Sequence, residues 1–185
     1  MNNLRRVQKT SRLLRGACTV AIPVIPIGLA AIWATLDWWL FGGGEVTGFR
    51  PWVGGHVHVP QPIPAYSLAL GFLSSMLPAG LMVYALWQLR ALFGLYGRGQ
   101  IFTAENAQRL RRFALAVLAM TLASPLENTL TILAVTLGNP PGQRLLSVGF
   151  SSSQLVTLFM GAMFLVIAWV MDEARELAED QAQII

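Results

Sequence analysis

Charged residues are scarce in this chain. Asp, Glu, Lys and Arg make up 12% of its 185 residues, against roughly 25% in a typical soluble domain. Hydrophobic residues make up 55%, and the mean hydropathy is +0.56. Because a soluble protein cannot bury that much apolar surface in so short a chain, the composition predicts a membrane protein with a single domain, residues 1–185.

Cysteine is nearly absent as well. The one thiol, Cys18, cannot form an intrachain disulfide, and in an apolar run it is typical of a small core residue. No nucleophile elbow, Walker loop, H-E-x-x-H motif or cysteine pair occurs. We therefore expect no enzyme activity, cofactor or metal.

His56 and His58 would share one face of an extended segment, but two ligands do not make a specific metal site, so a solvated loop is the favoured interpretation.

Long apolar runs dominate what is present. Membrane-spanning helices need about 17–25 apolar residues, and four stretches meet this length: residues 16–41, 66–93, 113–137 and 155–171. The chain is thus predicted to be all-α, an integral membrane bundle of four transmembrane helices.

Basic residues are distributed unevenly around these spans. Of the 13 Lys and Arg residues, only Arg50 and Arg144 flank the side that carries the loops after the first and third spans. The others flank the two termini and the loop 94–112. Positive residues concentrate on the cytoplasmic side of membrane proteins, so both termini and this loop are predicted to be cytoplasmic.

The loop 94–112 contains signals for a helix end and a helix start. Three glycines between positions 94 and 99 favour the end of one helix. Thr103 is placed to cap the next, with Glu105 in its first turn near the positive end of the helix dipole. Asn106 stands where a full capping box has Glu or Gln. Three arginines follow: Arg109, Arg111 and Arg112.

The two termini carry opposite charge. The basic segment 4–15 is expected to lie along anionic lipid before it turns into the first span. The tail 172–185 is acidic, with Glu173, Glu176 and Glu179 on a predicted short helix. Two interpretations of the tail remain open: a solvated end that pairs with the arginines of the central loop, or a docking surface for a basic partner.

Polar residues inside the spans are few. Glu127, beside Asn128, is costly in a membrane, by at least ~2.5–3.5 kcal/mol. It is either part of a proton or cation path or a bonded group that holds the bundle together. Gly71, Ser75 and Ala79 recur every four residues, which favours close helix packing.

Two motifs carry a family resemblance. One is residues 99–106, GQIFTAEN, followed by RLRR at 109–112, and the other is residues 169–179, WVMDEARELAE. With these motifs, the chain resembles a bacterial family of small four-helix membrane proteins known only as domain of unknown function twenty-nine seventy-five. Members are often encoded beside a small helix-turn-helix regulator. The resemblance implies a multi-pass protein of the bacterial inner membrane that sequesters or modulates a transcription factor.

Our main functional hypothesis is a non-catalytic regulatory protein whose cytoplasmic face, including the basic N-terminal segment, binds such a regulator without contacting nucleic acid itself. The residues predicted to bind the partner are Phe102, Thr103, Glu105, Asn106, Arg109, Arg111, Arg112, Glu173, Glu176 and Glu179. One alternative is a subunit of a small oligomeric transporter or channel built around Glu127. Another is an accessory subunit of a larger membrane complex, packed through the stripe at Gly71.

Overall fold

The computed structural model contains four α-helices in the part of the chain that it describes, and no strands there. The described residues are 2–41, 63–100, 103–142, 144 and 146–183, without the side chains of 2–5, 36–41 and 178–183. The helices are α1 (Asn2–Phe41), α2 (Ala65–Gly97), α3 (Ala104–Thr136) and α4 (Ser152–Gln183). Each contains a segment long and apolar enough to cross a membrane. The predicted all-α class with four membrane-length helices is confirmed.

The helices extend well beyond the hydrophobic runs. At ~1.5 Å per residue, α1 is about 60 Å long, twice the ~30 Å hydrocarbon layer. Since α1 is continuous from Asn2, no turn separates residues 4–15 from the first span, and the predicted separate interfacial helix is not found. Similarly, α2 and α3 are separated only by residues 98–103, so the loop predicted at 94–112 is largely helical. Alanine, leucine, arginine and glutamine favour helix, and nothing requires a helix to end where the lipid ends.

Neighbouring helices pack antiparallel, in the order of the chain. Gly94 of α2 lies beside Arg15 of α1, Gly97 at the end of α2 lies beside Arg12, and Gly99 in the following turn lies beside Gln8. The same packing joins α2 to α3 and α3 to α4, whereas α1 and α4 do not approach within 8 Å between Cα atoms of the described residues. Because each of the four helices runs antiparallel to the one before it, the start of α1, the end of α4 and the α2–α3 turn lie on one side, here called the terminal side.

Glycines allow the closest contacts between helices. A β-carbon at Gly71 would clash with the indole ring of Trp33 on α1, and one at Gly161 of α4 would lie 2.9 Å from Leu118 Cδ2 on α3. Ser75, one turn after Gly71, is also buried. The stripe at Gly71 is therefore a packing surface, as predicted, and it is used within the chain.

Two apolar clusters form the core. Trp33, Ile63 and Val135 join three elements at the end remote from the terminal side. Leu92, Leu110 and Ala168 join α2, α3 and α4 near the terminal side. The second cluster joins Leu110, near the start of α3, to Ala168 in the middle of α4, and Met171 packs against it, which brings residues of the two sequence motifs together.

Candidate functional site

The turn between α2 and α3 is fixed by its backbone. Gly99 has φ +82°, a conformation that glycine adopts without the steric penalty of a β-carbon. The Gln100 N–H donates to Leu95 O at 3.1 Å and the Gly99 N–H to Tyr96 O at 3.0 Å. This pair of bonds is a Schellman motif, which satisfies carbonyls that the end of a helix leaves open.

Two of the predicted partner-binding residues hold this turn together. Thr103 is the N-cap of α3, with φ −122°, and its side chain accepts a hydrogen bond from the Asn106 N–H at 3.4 Å. The Asn106 side chain, fully buried, donates from Nδ2 to Gln100 O at 2.7 Å. The predicted cap is confirmed, and the asparagine that made the capping box incomplete bonds across the turn instead.

Arg109 is held by two partners. Its Nη1 donates to Oε1 of the buried Gln88 on α2 at 3.0 Å, and its Nη2 lies 3.3 Å from Glu105 Oε1. The first contact ties α3 to α2, and the second is an i,i+4 ion pair on the surface of α3. Arg109 therefore holds α3 against α2 in addition to providing a positive charge on the surface of α3.

Arg111 and Arg112 differ from Arg109 because both are exposed. On α4, Glu173 and Glu176 are exposed too. Within the described residues none of these four takes part in a salt bridge, and the ion pair found in the tail joins Asp172 Oδ1 to Arg175 Nε at 3.8 Å. The structure thus does not show the tail pairing with the central arginines. We call these four side chains the docking face: Arg111, Arg112, Glu173 and Glu176.

Several predicted residues are not placed. Phe102, His56 and His58 lie outside the described residues, as does the side chain of Glu179. Across the part of the chain that is described, no group of three or more His, Cys, Asp or Glu side chains is arranged to hold a metal ion.

Glu127 lies in a hydrogen-bonded network that joins three helices. Its Oε1 accepts from Ser75 Oγ on α2 at 3.3 Å and from Thr131 Oγ1 at 3.1 Å. Ser75 in turn accepts from Trp33 Nε1 of α1 at 3.3 Å, and Ser74 Oγ lies 2.9 Å from Thr131 Oγ1. These contacts favour the structural role over the transport role for Glu127.

Most of this network could not be predicted from the sequence. No role was predicted for Trp33, and Ser75 was predicted to take part in helix packing alone. One signal was available locally, because Thr131 follows Glu127 by four residues and therefore shares its face of the helix. Asn128 is partly buried next to the network but makes no hydrogen bond through its side chain within the described structure.

A family model described as a protein of unknown function (DUF2975) matches residues 52–185. The match includes α2, α3 and α4 and therefore both sequence motifs, but not α1. No curated protein and no solved structure matches the chain.

Proposed function

The chain belongs to the DUF2975 family of proteins of unknown function. We propose that it is a multi-pass protein of a bacterial inner membrane that captures a small helix-turn-helix regulator. Capture takes place on the cytoplasmic side, at the docking face. The observation that supports this proposal is the presence there of exposed arginines and exposed glutamates that are not paired with each other.

Unpaired charges of both signs suit a protein partner better than a small ion. Complementary charges steer association and set the orientation of two proteins. Glu173 and Glu176 offer carboxylates on a helix to the basic surface with which a DNA-binding protein contacts phosphates. A regulator held in this way cannot contact DNA with the same surface, so capture would withdraw it from its operators. Arg111 and Arg112 would contact carboxylates elsewhere on the regulator.

The two alternatives lack an observation of their own. Glu127 accepts hydrogen bonds from two neighbouring side chains, which supports a part in packing. The stripe at Gly71, through which an accessory subunit was expected to pack, is covered by Trp33 of the same chain. Partner capture is accordingly the function that we put forward.

The proposal is tested by gentle extraction of the tagged protein from its native membrane and identification of what copurifies. We expect a small DNA-binding regulator, and we expect its recovery to fall roughly tenfold in the double variant Glu173→Gln/Glu176→Gln and in Arg111→Gln/Arg112→Gln, since exposed ion pairs contribute ~0.2–1 kcal/mol each. The control is Arg144→Gln, which removes an exposed charge on the opposite side. Equal recovery in all variants would refute capture at the docking face.

A further inference from the structure

A polar cavity of about 190 Å³ opens on the terminal side where α1, α2 and α3 meet. Five charged side chains line it, four arginines and one glutamate: Arg15, Arg90, Arg98, Arg109 and Glu105. Three of the arginines come from α1, α2 and α3, and Arg98 comes from the turn after α2. Their convergence on one concavity goes beyond the general excess of positive charge that orients a membrane protein.

Neutral oxygens orient two of these guanidinium groups. Arg90 Nε donates to Thr19 Oγ1 of α1 at 2.9 Å, and Arg109 Nη1 donates to Gln88 Oε1 at 3.0 Å. Each arginine keeps further N–H donors beyond the one used in these bonds. The cavity is thus built around fixed donors.

Among the described residues, positive charge at the cavity exceeds negative charge. The one lining carboxylate, Glu105, is paired with Arg109. Arg15, Arg90 and Arg98 have no carboxylate within 4.0 Å in the described residues. Since neighbouring like charges repel each other, a bound anion would stabilise the arrangement. Guanidinium groups bind phosphate through two parallel hydrogen bonds, which makes phosphate the anion that this donor set suits best.

The depth of the cavity indicates the source of the phosphate. Trp87, which also lines it, is 60% exposed on a membrane-length helix. Tryptophan side chains concentrate at the level of lipid headgroups, and Arg90 follows Trp87 by almost one helical turn. We propose that this cavity binds the phosphate group of an anionic phospholipid in the leaflet on the terminal side. None of the residues of this site belongs to the docking face, and Glu105 and Arg109, which the sequence predicted to bind the partner, line the cavity instead.

The test is lipid retention by the full chain in detergent micelles, measured by native mass spectrometry with added phosphatidylglycerol, phosphatidylcholine of the same acyl chains, or inorganic phosphate. The variant is Arg15→Gln/Arg98→Gln. Both arginine side chains are exposed, and the hydrogen bond that Arg98 makes is to Gly94 O at the end of α2. The control is Arg6→Gln/Lys9→Gln, which removes the same charge from exposed positions of α1 away from the cavity.

We expect wild type and control to retain phosphatidylglycerol in preference to phosphatidylcholine. The Arg15/Arg98 variant should bind phosphatidylglycerol about 30-fold more weakly, at ~1 kcal/mol for each arginine. Arg15→Lys/Arg98→Lys preserves the charge but not the paired hydrogen bonds, and it should show an intermediate loss. Equal weakening in the cavity variant and the control would overturn the proposal, as would equal retention of the two lipids. Inorganic phosphate that bound as tightly as the lipid would overturn the lipid as its source.

Discussion

Replacing Gly71 with alanine tests how α1 is held against α2. A β-carbon at this position would clash with the Trp33 indole and lie 2.7 Å from its Cζ2 atom. Trp33 is buried, with 8% of its surface exposed, and its Nε1 donates to Ser75 Oγ at 3.3 Å. The ring must therefore move, and the hydrogen bond to Ser75 is lost when it does.

The size of the effect follows from three contributions. Overpacking of a filled site costs ~1–3 kcal/mol, and an interhelical hydrogen bond in a membrane protein contributes ~0.6 kcal/mol. Alanine is favoured over glycine inside a helix by ~0.8–1 kcal/mol, which offsets part of this. The net loss in the free energy of unfolding is about 0.6–2.8 kcal/mol. At ~2–4 °C per kcal/mol for a chain of this length, the melting temperature should fall by about 1–11 °C.

Thermal unfolding in mild detergent, followed by circular dichroism, measures this shift. Gly80→Ala is the matched control, because Gly80 lies in the same helix with no atom within 4 Å of an added β-carbon. It should melt at or slightly above the wild-type temperature. Adding Trp33→Leu to Gly71→Ala should remove part of the clash and restore some stability. If Gly71→Ala is as stable as Gly80→Ala, the packing of α1 on α2 described above is incorrect.

The remaining predictions concern the network, the turn and the topology. Glu127→Gln keeps an oxygen acceptor, so in mixed detergent micelles it should unfold at nearly the same concentration of denaturing detergent as the wild type. Glu127→Leu removes the acceptor and should lower the free energy of unfolding by about 1–3 kcal/mol. Equal loss of stability in the two variants would contradict a hydrogen-bonding role for Glu127. Asn106→Ala removes a buried hydrogen bond across the α2–α3 turn and should speed proteolysis at the turn. The effect should be larger than that of Thr103→Ala, which removes the N-cap of α3 and costs ~1 kcal/mol of stability. Faster proteolysis in Thr103→Ala than in Asn106→Ala would refute this description of the turn. Cysteines introduced at Leu146 and Arg112, both exposed, should react with an impermeant maleimide from opposite sides of the membrane, while the one native cysteine is buried. Labelling of both from one side would contradict the topology.

Local features of the fold could be predicted because local physics determines them. Apolar runs of spanning length predicted four helices, and the position of Thr103 predicted the start of α3 at Ala104. The start of α1 and the end of α2 could not be predicted from hydrophobicity, which marks where lipid contact stops. A helix continues for as long as its residues favour it, and for α2 this is up to the glycine turn at Gly99.

Partners distant in sequence were the part that could not be predicted. Glu127 was identified as costly in a membrane, but its donor Ser75 is 52 residues away, and no local pattern joins the two. The sequence around Trp33 does not distinguish it from a lipid-facing aromatic residue, because its contact with Gly71 is visible only in the structure. No sequence pattern placed the four arginines of the cavity at one site, since the convergence of Arg15 and Arg98 depends on how α1 packs on α2.

The most direct test of partner capture is site-specific photocrosslinking in living cells. A photoreactive amino acid placed at Arg112 samples the docking face, and one placed at Leu73, which is 63% exposed on a membrane-length helix, samples the surroundings of the span. We predict that position 112 crosslinks to a small DNA-binding regulator and that position 73 does not. The absence of any protein adduct at position 112, or the same adducts at both positions, would contradict the proposed function.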